Sequence, residues 1–252
     1  LDGISYGPNL KASCKNSLIT LAGDTIKLEP FTVTVNDSPI KAYLMTDVGR
    51  SDGYVFTVKS EFKQLEIAPV IRTLLPEQPR NLTGELENFT MELNGKGVRQ
   101  ESLNRNLKGT IAFGTKNISI PNTVRNNEYV KLLFIPIDIF SKITQYIPQI
   151  SSSEDLMRAI QEAQKVNTST HNLKLEKGKV NVRINNGYAT IQQAEFSGDF
   201  ISSLKITGQV PIDKNREMNI TTILDVTYLI IPVDITGTPQ QPIPDIPKMV
   251  AG

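Results

Sequence analysis

The sequence predicts a mostly β protein, in which long antiparallel strands form a curled or grooved sheet with two or three short helices. Three observations support this fold class. Apolar and polar residues alternate with period two over long stretches, as in half-buried strands. Clusters of Gly, Asn, Asp and Ser separate these stretches, as turns do. Few segments carry the spacing of three and four residues that is typical of helices.

The N-terminal part is predicted to be a meander that ends in a helix. Four runs rich in β-branched and aromatic residues are separated by turn residues: 17–23, 25–35, 40–48 and 54–62. The segment 65–76 breaks this pattern, because its apolar residues recur at helical spacing. Pro69 suits the first turn of a helix and Pro76 would end it.

The segment 82–97, LTGELENFTMELNGKG, alternates cleanly but changes face halfway. Its apolar residues occupy even positions up to Leu86 and odd positions from Phe89 to Leu93. One extra residue near Glu87–Asn88 would produce this change, so the sequence predicts a β-bulge or a tight corner there. The strand would then turn the corner with its apolar residues on the inside of both arms.

The rest of the chain is predicted to be strands around a helical insertion. After a strand at 107–114, two helices are expected near 136–147 and 153–165, and Ser151 with Glu154 is a candidate capping box for the second. Four further strand segments follow: 172–184, 187–200, 203–213 and 217–237. The Pro-rich tail is expected to be extended or disordered.

The composition argues against catalysis, metals and nucleic acids. Net charge is +1, and the 27 basic and 26 acidic residues are spread along the chain. The sequence therefore lacks the clustered Lys and Arg residues that nucleic-acid binding normally needs. A catalytic triad needs a basic residue, usually His, and the one histidine, His171, is expected in a turn; the sequence also lacks a Gly-x-Ser-x-Gly nucleophile motif. One His and one Cys are too few for a zinc site. We expect no enzyme activity, no cofactor and no metal. Glu85, Glu87 and Glu92 are interpreted as the solvated side of a strand.

No segment is long and apolar enough for a membrane-spanning helix. The most apolar run, 130–140, contains Lys131, Pro136 and Asp138 and is far shorter than the roughly 20 residues needed. Because the chain begins at Leu1, we expect a soluble fragment of a longer protein. Six N-x-S/T sequons make glycosylation a minor option: Asn36, Asn81, Asn88, Asn117, Asn167 and Asn219.

Long strands with one apolar face must bury that face, and two architectures satisfy this. In the first, a closed sandwich fills its core with these side chains. In the second, the sheet is curled into a trough whose apolar lining holds acyl chains. Residues that would line such a groove, or else be ordinary core, are Phe89, Met91, Leu93, Ile111, Phe113, Phe196, Leu204, Ile206 and Val210.

The order of these motifs resembles the C-terminal region of the AsmA-like family of bacterial envelope proteins, which is grouped with TamB and the bridge-like lipid-transfer proteins. The segments that carry the resemblance are 82–97, 101–120, 173–226 and 231–242. Matching positions in them include Gly84, Leu86, Leu93, Gly95, Gly97, Leu103, Leu107, Gly109, Ile120, Ile206, Gly208, Val210, Pro232, Gly237 and Pro242. Ala112 and Phe113 stand near the place of a usual glycine.

The resemblance implies one elongated domain over 1–252. Its parts are a meander with a helix (1–80), AsmA-like repeats (81–242) with a helical insertion (131–165), and a tail (243–252). It also implies a phospholipid or other acyl lipid as partner and a place on the periplasmic side of the inner membrane. An N-terminal helix missing from this sequence would provide the anchor, and a short polar helix is expected within 101–120.

The implied role is phospholipid transport or outer-membrane assembly and maintenance, without catalysis. Two alternatives remain open. The first is a closed β-sandwich that serves as a scaffold or adhesion module. The second is a secreted tubular lipid-binding domain of the bactericidal/permeability type, against which the lack of a cysteine pair argues. A large apolar cavity or an open trough would separate the lipid-binding interpretations from the sandwich.

Overall fold

The computed structural model describes residues 4–6, 10–15, 18–35, 38–49, 53–74, 82–143, 154–168, 171–226 and 229–245. The strands in these ranges are β1 (Ile4–Tyr6), β2 (Leu10–Lys15), β3 (Ile19–Ala22), β4 (Thr25–Val35), β5 (Ser38–Asp47), β6 (Tyr54–Glu66), β7 (Thr83–Gly97), β8 (Lys108–Ile120), β9 (Leu173–Asn185), β10 (Tyr188–Gly198), β11 (Ser203–Pro211), β12 (Asn219–Val226), β13 (Leu229–Gly237) and β14 (Pro242–Asp245). The helices are α1 (Ile67–Leu74), α2 (Gln100–Asn106), α3 (Lys131–Ile143) and α4 (Glu154–Asn167), with a 3-10 turn at Asn122–Val124.

These strands form one antiparallel sheet that is not closed. Thirteen strands lie in line, and each pairs with the next one along the chain except around β3. The first half of β4 pairs with β3, whereas its second half pairs with β2. The mostly β class with long antiparallel strands and short helices is therefore confirmed, and the described strands build a single sheet rather than two stacked ones.

The predicted change of face in β7 is a β-bulge. The pairing of β7 with β8 shifts between Glu87 and Thr90, and Asn88 has a left-handed backbone with φ of 50°. Leu86 before the bulge and Phe89 after it therefore lie on the same side of the sheet. A comparable shift occurs in β4 between Leu28 and Phe31. The bulges keep the apolar residues on one face through each bend.

The core lies under the connection between β8 and β9. In this connection α3 packs on β12 and β13, and α4 packs on α3. Phe134, Ile137 and Phe140 of α3 are fully buried against apolar side chains of β8–β13. Burying each such side chain contributes roughly 1.5–3 kcal/mol to stability. The two helices and six strands that enclose these side chains form the solvent-free core of the molecule.

The described residues contain four α-helices, whereas two or three were predicted. The helix α1 lies within the predicted 65–76, and the short polar helix expected from the resemblance is α2. The helix α3 begins at Lys131 rather than near Pro136, because the turn before Pro136 also has apolar residues to bury. Ser151, the expected cap of α4, lies outside the described residues.

A polar cluster joins α3 to α4 beside the core. Arg125 forms an ion pair with Asp138 of α3, and its guanidinium also donates to the Asn167 side chain of α4 at 3.5 Å. The Asn167 amide in turn donates to the Ser141 hydroxyl at 2.6 Å. Burial raises the pKa of Asp138 above its ordinary value, although the hydrogen bond and charge of Arg125 oppose this. The cluster holds α3 and α4 together beside the core.

Candidate lipid-contacting surface

An apolar face continues from the core onto strands that the core helices do not bury. Because cross-strand partners project to the same side of a sheet, the register identifies its members. We call the part on β4–β8 the open apolar face. Its residues are Ile26, Leu28, Phe31, Val33, Ile40, Ala42, Leu44, Phe56, Val58, Phe62, Leu86, Phe89, Met91, Leu93 and Ile111.

Burial divides this face from the core. Every residue of the open apolar face is only half-buried, whereas its counterparts on β11–β13 are almost all fully buried. Leu65, the cross-strand partner of Leu86, is the exception on this side: it is as buried as the core, and no other hydrophobic residue before Ile118 whose burial the structure describes is. One face of one sheet therefore has a dry half under α3 and α4 and a half that still meets solvent.

A row of aromatic rings crosses the open apolar face. The rings of Phe62 on β6 and Phe89 on β7 stack with centroids 4.6 Å apart and planes 3° apart. Phe89 in turn lies 6.4 Å from Phe113 on β8, and Phe113 packs against the core. The row links the half-exposed surface to the buried part of the molecule without a polar break.

Glycines let aromatic rings lie flat on this face. A Cβ at Gly95 would collide with the ring of Phe56, its cross-strand partner. In the covered half, Gly178 and Phe196 form the same kind of pair. An aromatic ring over a glycine covers the backbone that the missing side chain would leave exposed, so the surface at that position is apolar.

The opposite face of the same strands is polar. Lys41 pairs with Glu61 at 2.9 Å, and Lys59 pairs with Glu92 at 3.0 Å. A shallow depression of about 890 Å³ lies among these side chains. Glu85 accepts a hydrogen bond from Gln64 at 2.6 Å, which suits the solvated side of a strand. The two faces of β4–β8 thus differ sharply in chemistry.

The nine predicted groove residues fall into three groups. Phe89, Met91, Leu93 and Ile111 lie together on the open apolar face, and Met91 and Ile111 are direct cross-strand partners. Phe113 and Phe196 are half-buried at the edge of the core. Leu204, Ile206 and Val210 are buried within the core, where they face other side chains of the chain rather than solvent.

The sequence reasoning missed the part of this face on β4–β6. Phe31, Leu44 and Phe62 belong to it, and their alternation with polar neighbours was the available signal. The apolar residues of β4 and of β6 switch between even and odd positions within the strand. Only the strand register shows that they lie on one continuous face.

The described residues hold little other chemistry. They contain no group of three His, Cys, Asp or Glu residues that could hold a metal ion. His171 is exposed in the turn before β9. No helix in the described ranges has the length and apolar character needed to cross a membrane. What the open apolar face offers is contact with apolar groups.

Comparison with known proteins adds no relative. No protein-family model, curated protein or solved structure matches this chain.

Proposed function

We propose that this chain is a non-enzymatic bacterial envelope domain that holds phospholipid or another acyl lipid on its open apolar face. One observation carries the proposal: the apolar face extends from the core strand β8 across four more strands, β4–β7, where most of its residues are half-exposed. Apolar area exposed on this scale is typical of surfaces that bind an apolar partner. The resemblance of the motifs to the AsmA-like family adds the envelope context.

The dimensions of this face suit acyl chains. Five strands at about 4.8 Å spacing span roughly 19 Å, and β7, with 15 residues, is about 50 Å long. One leaflet of a bilayer has an acyl layer of about 15 Å, which is half the hydrocarbon core. Each methylene removed from water contributes about 0.8 kcal/mol, so contact with this lining would stabilise a bound chain without any polar anchor.

The proposed role is phospholipid transport or outer-membrane assembly and maintenance. In that role the domain would act on the periplasmic side of the inner membrane, and an N-terminal helix outside this sequence would anchor it. The unclosed sheet supports such a role because a lipid can enter and leave sideways, with no gate to open.

The test is native mass spectrometry of the purified chain, followed by lipid analysis of what it releases. We expect stoichiometric phospholipid on the wild-type protein and at least a fivefold loss in Met91→Asp, because a carboxylate on the apolar face repels acyl chains. The matched control is Asn94→Asp, which places the same charge on the polar face of the same strand. It should retain the lipid.

Folding of both variants is checked by circular dichroism. If Met91→Asp does not fold, Ile111→Thr provides a milder polar change at its cross-strand partner. A ligand-free mass together with no uptake from phospholipid vesicles would contradict the proposal. That result would favour a scaffold or adhesion module whose apolar face is covered by another protein.

A further inference from the structure

The open apolar face reaches the rim of the sheet at β3. The register pairs Ile19 with Leu28 and Leu21 with Ile26, so both β3 side chains lie on the side of the open apolar face. Val48 donates its backbone N–H to Asp24 at the turn between β3 and β4, which places it at the same end. We call Ile19, Leu21 and Val48 the apolar corner.

The apolar corner is far more exposed than the face it continues. Ile19 is 61% exposed, Leu21 is 72% exposed and Val48 is 41% exposed. Three large apolar side chains within one hairpin and its neighbouring strand end are a costly arrangement for a surface that meets only water. The arrangement therefore indicates a surface that binds something apolar.

Two charged residues at this corner, Lys27 and Asp47, lie on the other side of the sheet. Lys27 pairs with Met45 and Asp47 pairs with Thr25, which places both charges on the polar face. The turn carboxylate of Asp24 lies beside the backbone of Gly49. Neither of these two described charges lies on the apolar side of the corner, so we expect its partner to be recognised by apolar contact.

We propose that the apolar corner inserts into the surface of a lipid bilayer. This inference rests on the proposed function and names the place where a lipid would pass between the membrane and the open apolar face. A strand that added to the edge of β3 would pair in the plane of the sheet. It would leave Ile19 and Leu21, which project out of that plane, in solvent. Bilayer insertion covers them.

The chain contains no Trp, so one introduced Trp reports on its own surroundings. Leu21→Trp is mixed with vesicles of dioleoylphosphatidylcholine, with and without brominated acyl chains. We expect a blue shift of its emission and quenching by the brominated lipid. The matched control is Ile230→Trp, at an exposed apolar position of 62% exposure on the polar side of β13. It should show neither effect.

A second measurement is vesicle co-sedimentation of a double variant, Ile19→Asp with Leu21→Asp. Both positions are exposed, so the fold should be retained, and we expect binding to fall at least about tenfold because two apolar groups are replaced by charges. Equal responses of the two Trp variants, or unchanged binding of the double variant, would overturn the proposal. So would a blue shift that follows protein concentration without vesicles, since it would identify a contact between copies.

The same variant separates this inference from the proposed function. If the double variant carries its phospholipid in native mass spectrometry but the wild-type protein ignores vesicles, the apolar corner is not a membrane contact while the lipid-holding face stands. If the wild-type protein binds vesicles through the corner but carries no lipid, the inference about the corner holds and the proposed function fails.

Discussion

The asparagine at position 88 shows how one residue sets the geometry of a strand. Its left-handed backbone, with φ of 50°, forms the β7 bulge, and Asn117 has φ of 52° at a register shift in β8. Asparagine tolerates this conformation better than other residues with a Cβ. Two of the six sequons therefore begin at a residue that the backbone itself requires.

This requirement predicts the effect of Asn88→Val. A β-branched residue in the left-handed region costs about 1–2 kcal/mol, so the free energy of unfolding should fall by that amount in urea denaturation. Asn88→Gly should stay within a few tenths of a kcal/mol of the wild type, because glycine adopts positive φ without strain. Equal stability of the Val and Gly variants would show that the bulge is absent in solution.

At this scale the sequence was informative where a pattern changed along the chain. The shift of apolar residues from even to odd positions at Glu87–Asn88 was visible directly and located the bulge. The pairing of Phe56 with Gly95 was not visible, because it joins residues 39 positions apart and needs the register of two strands. Local patterns record local geometry, whereas cross-strand partners depend on the tertiary fold.

Among the helices and strands, α3 does most to separate the buried core from the open apolar face. It buries Phe134, Ile137 and Phe140 completely and covers β12 and β13, whereas Phe89 on β7 remains half-exposed. The sequence located the helical insertion but not the strands it covers. Alternation marks an apolar face equally well under a helix and in the open, so Leu204 and Phe89 looked alike.

Two alanine substitutions measure this division. Phe134→Ala should lower the free energy of unfolding by about 3–5 kcal/mol, because it leaves a cavity in a closed core. Phe89→Ala should cost only about 1–2 kcal/mol, since the ring is partly in solvent and loses chiefly its stacking on Phe62. Urea denaturation gives both values. Similar losses for the two variants would mean that the open apolar face is as tightly packed as the core.

Across the whole molecule, stability is expected to be uneven. The strands β5 and β12 are both interior strands with a partner on each side, yet of the two only β12 is packed against a helix of the described ranges. Hydrogen bonding alone would protect them equally, so any difference reports on the covering layer. The structure thus contains an internal comparison between a covered strand and an open one.

Native-state hydrogen exchange should show this difference directly. We expect backbone amides of β12 to exchange close to the rate set by global unfolding, and those of β5 at least about tenfold faster, because local opening there exposes little buried apolar area. Mass spectrometry of peptic fragments resolves the two strands. Equal protection of β5 and β12 would indicate that something covers the open apolar face in solution.

The meander has a consequence for how such a chain can vary. Every in-line strand lies beside its sequence neighbours, apart from the detour at β3, and the connection from β8 to β9 supplies both core helices. A hairpin could therefore be duplicated or lost by a single genetic event without rethreading the rest of the path. Each strand changes the width by about 4.8 Å. Evolution can therefore change the width of the sheet in steps of one strand or one hairpin.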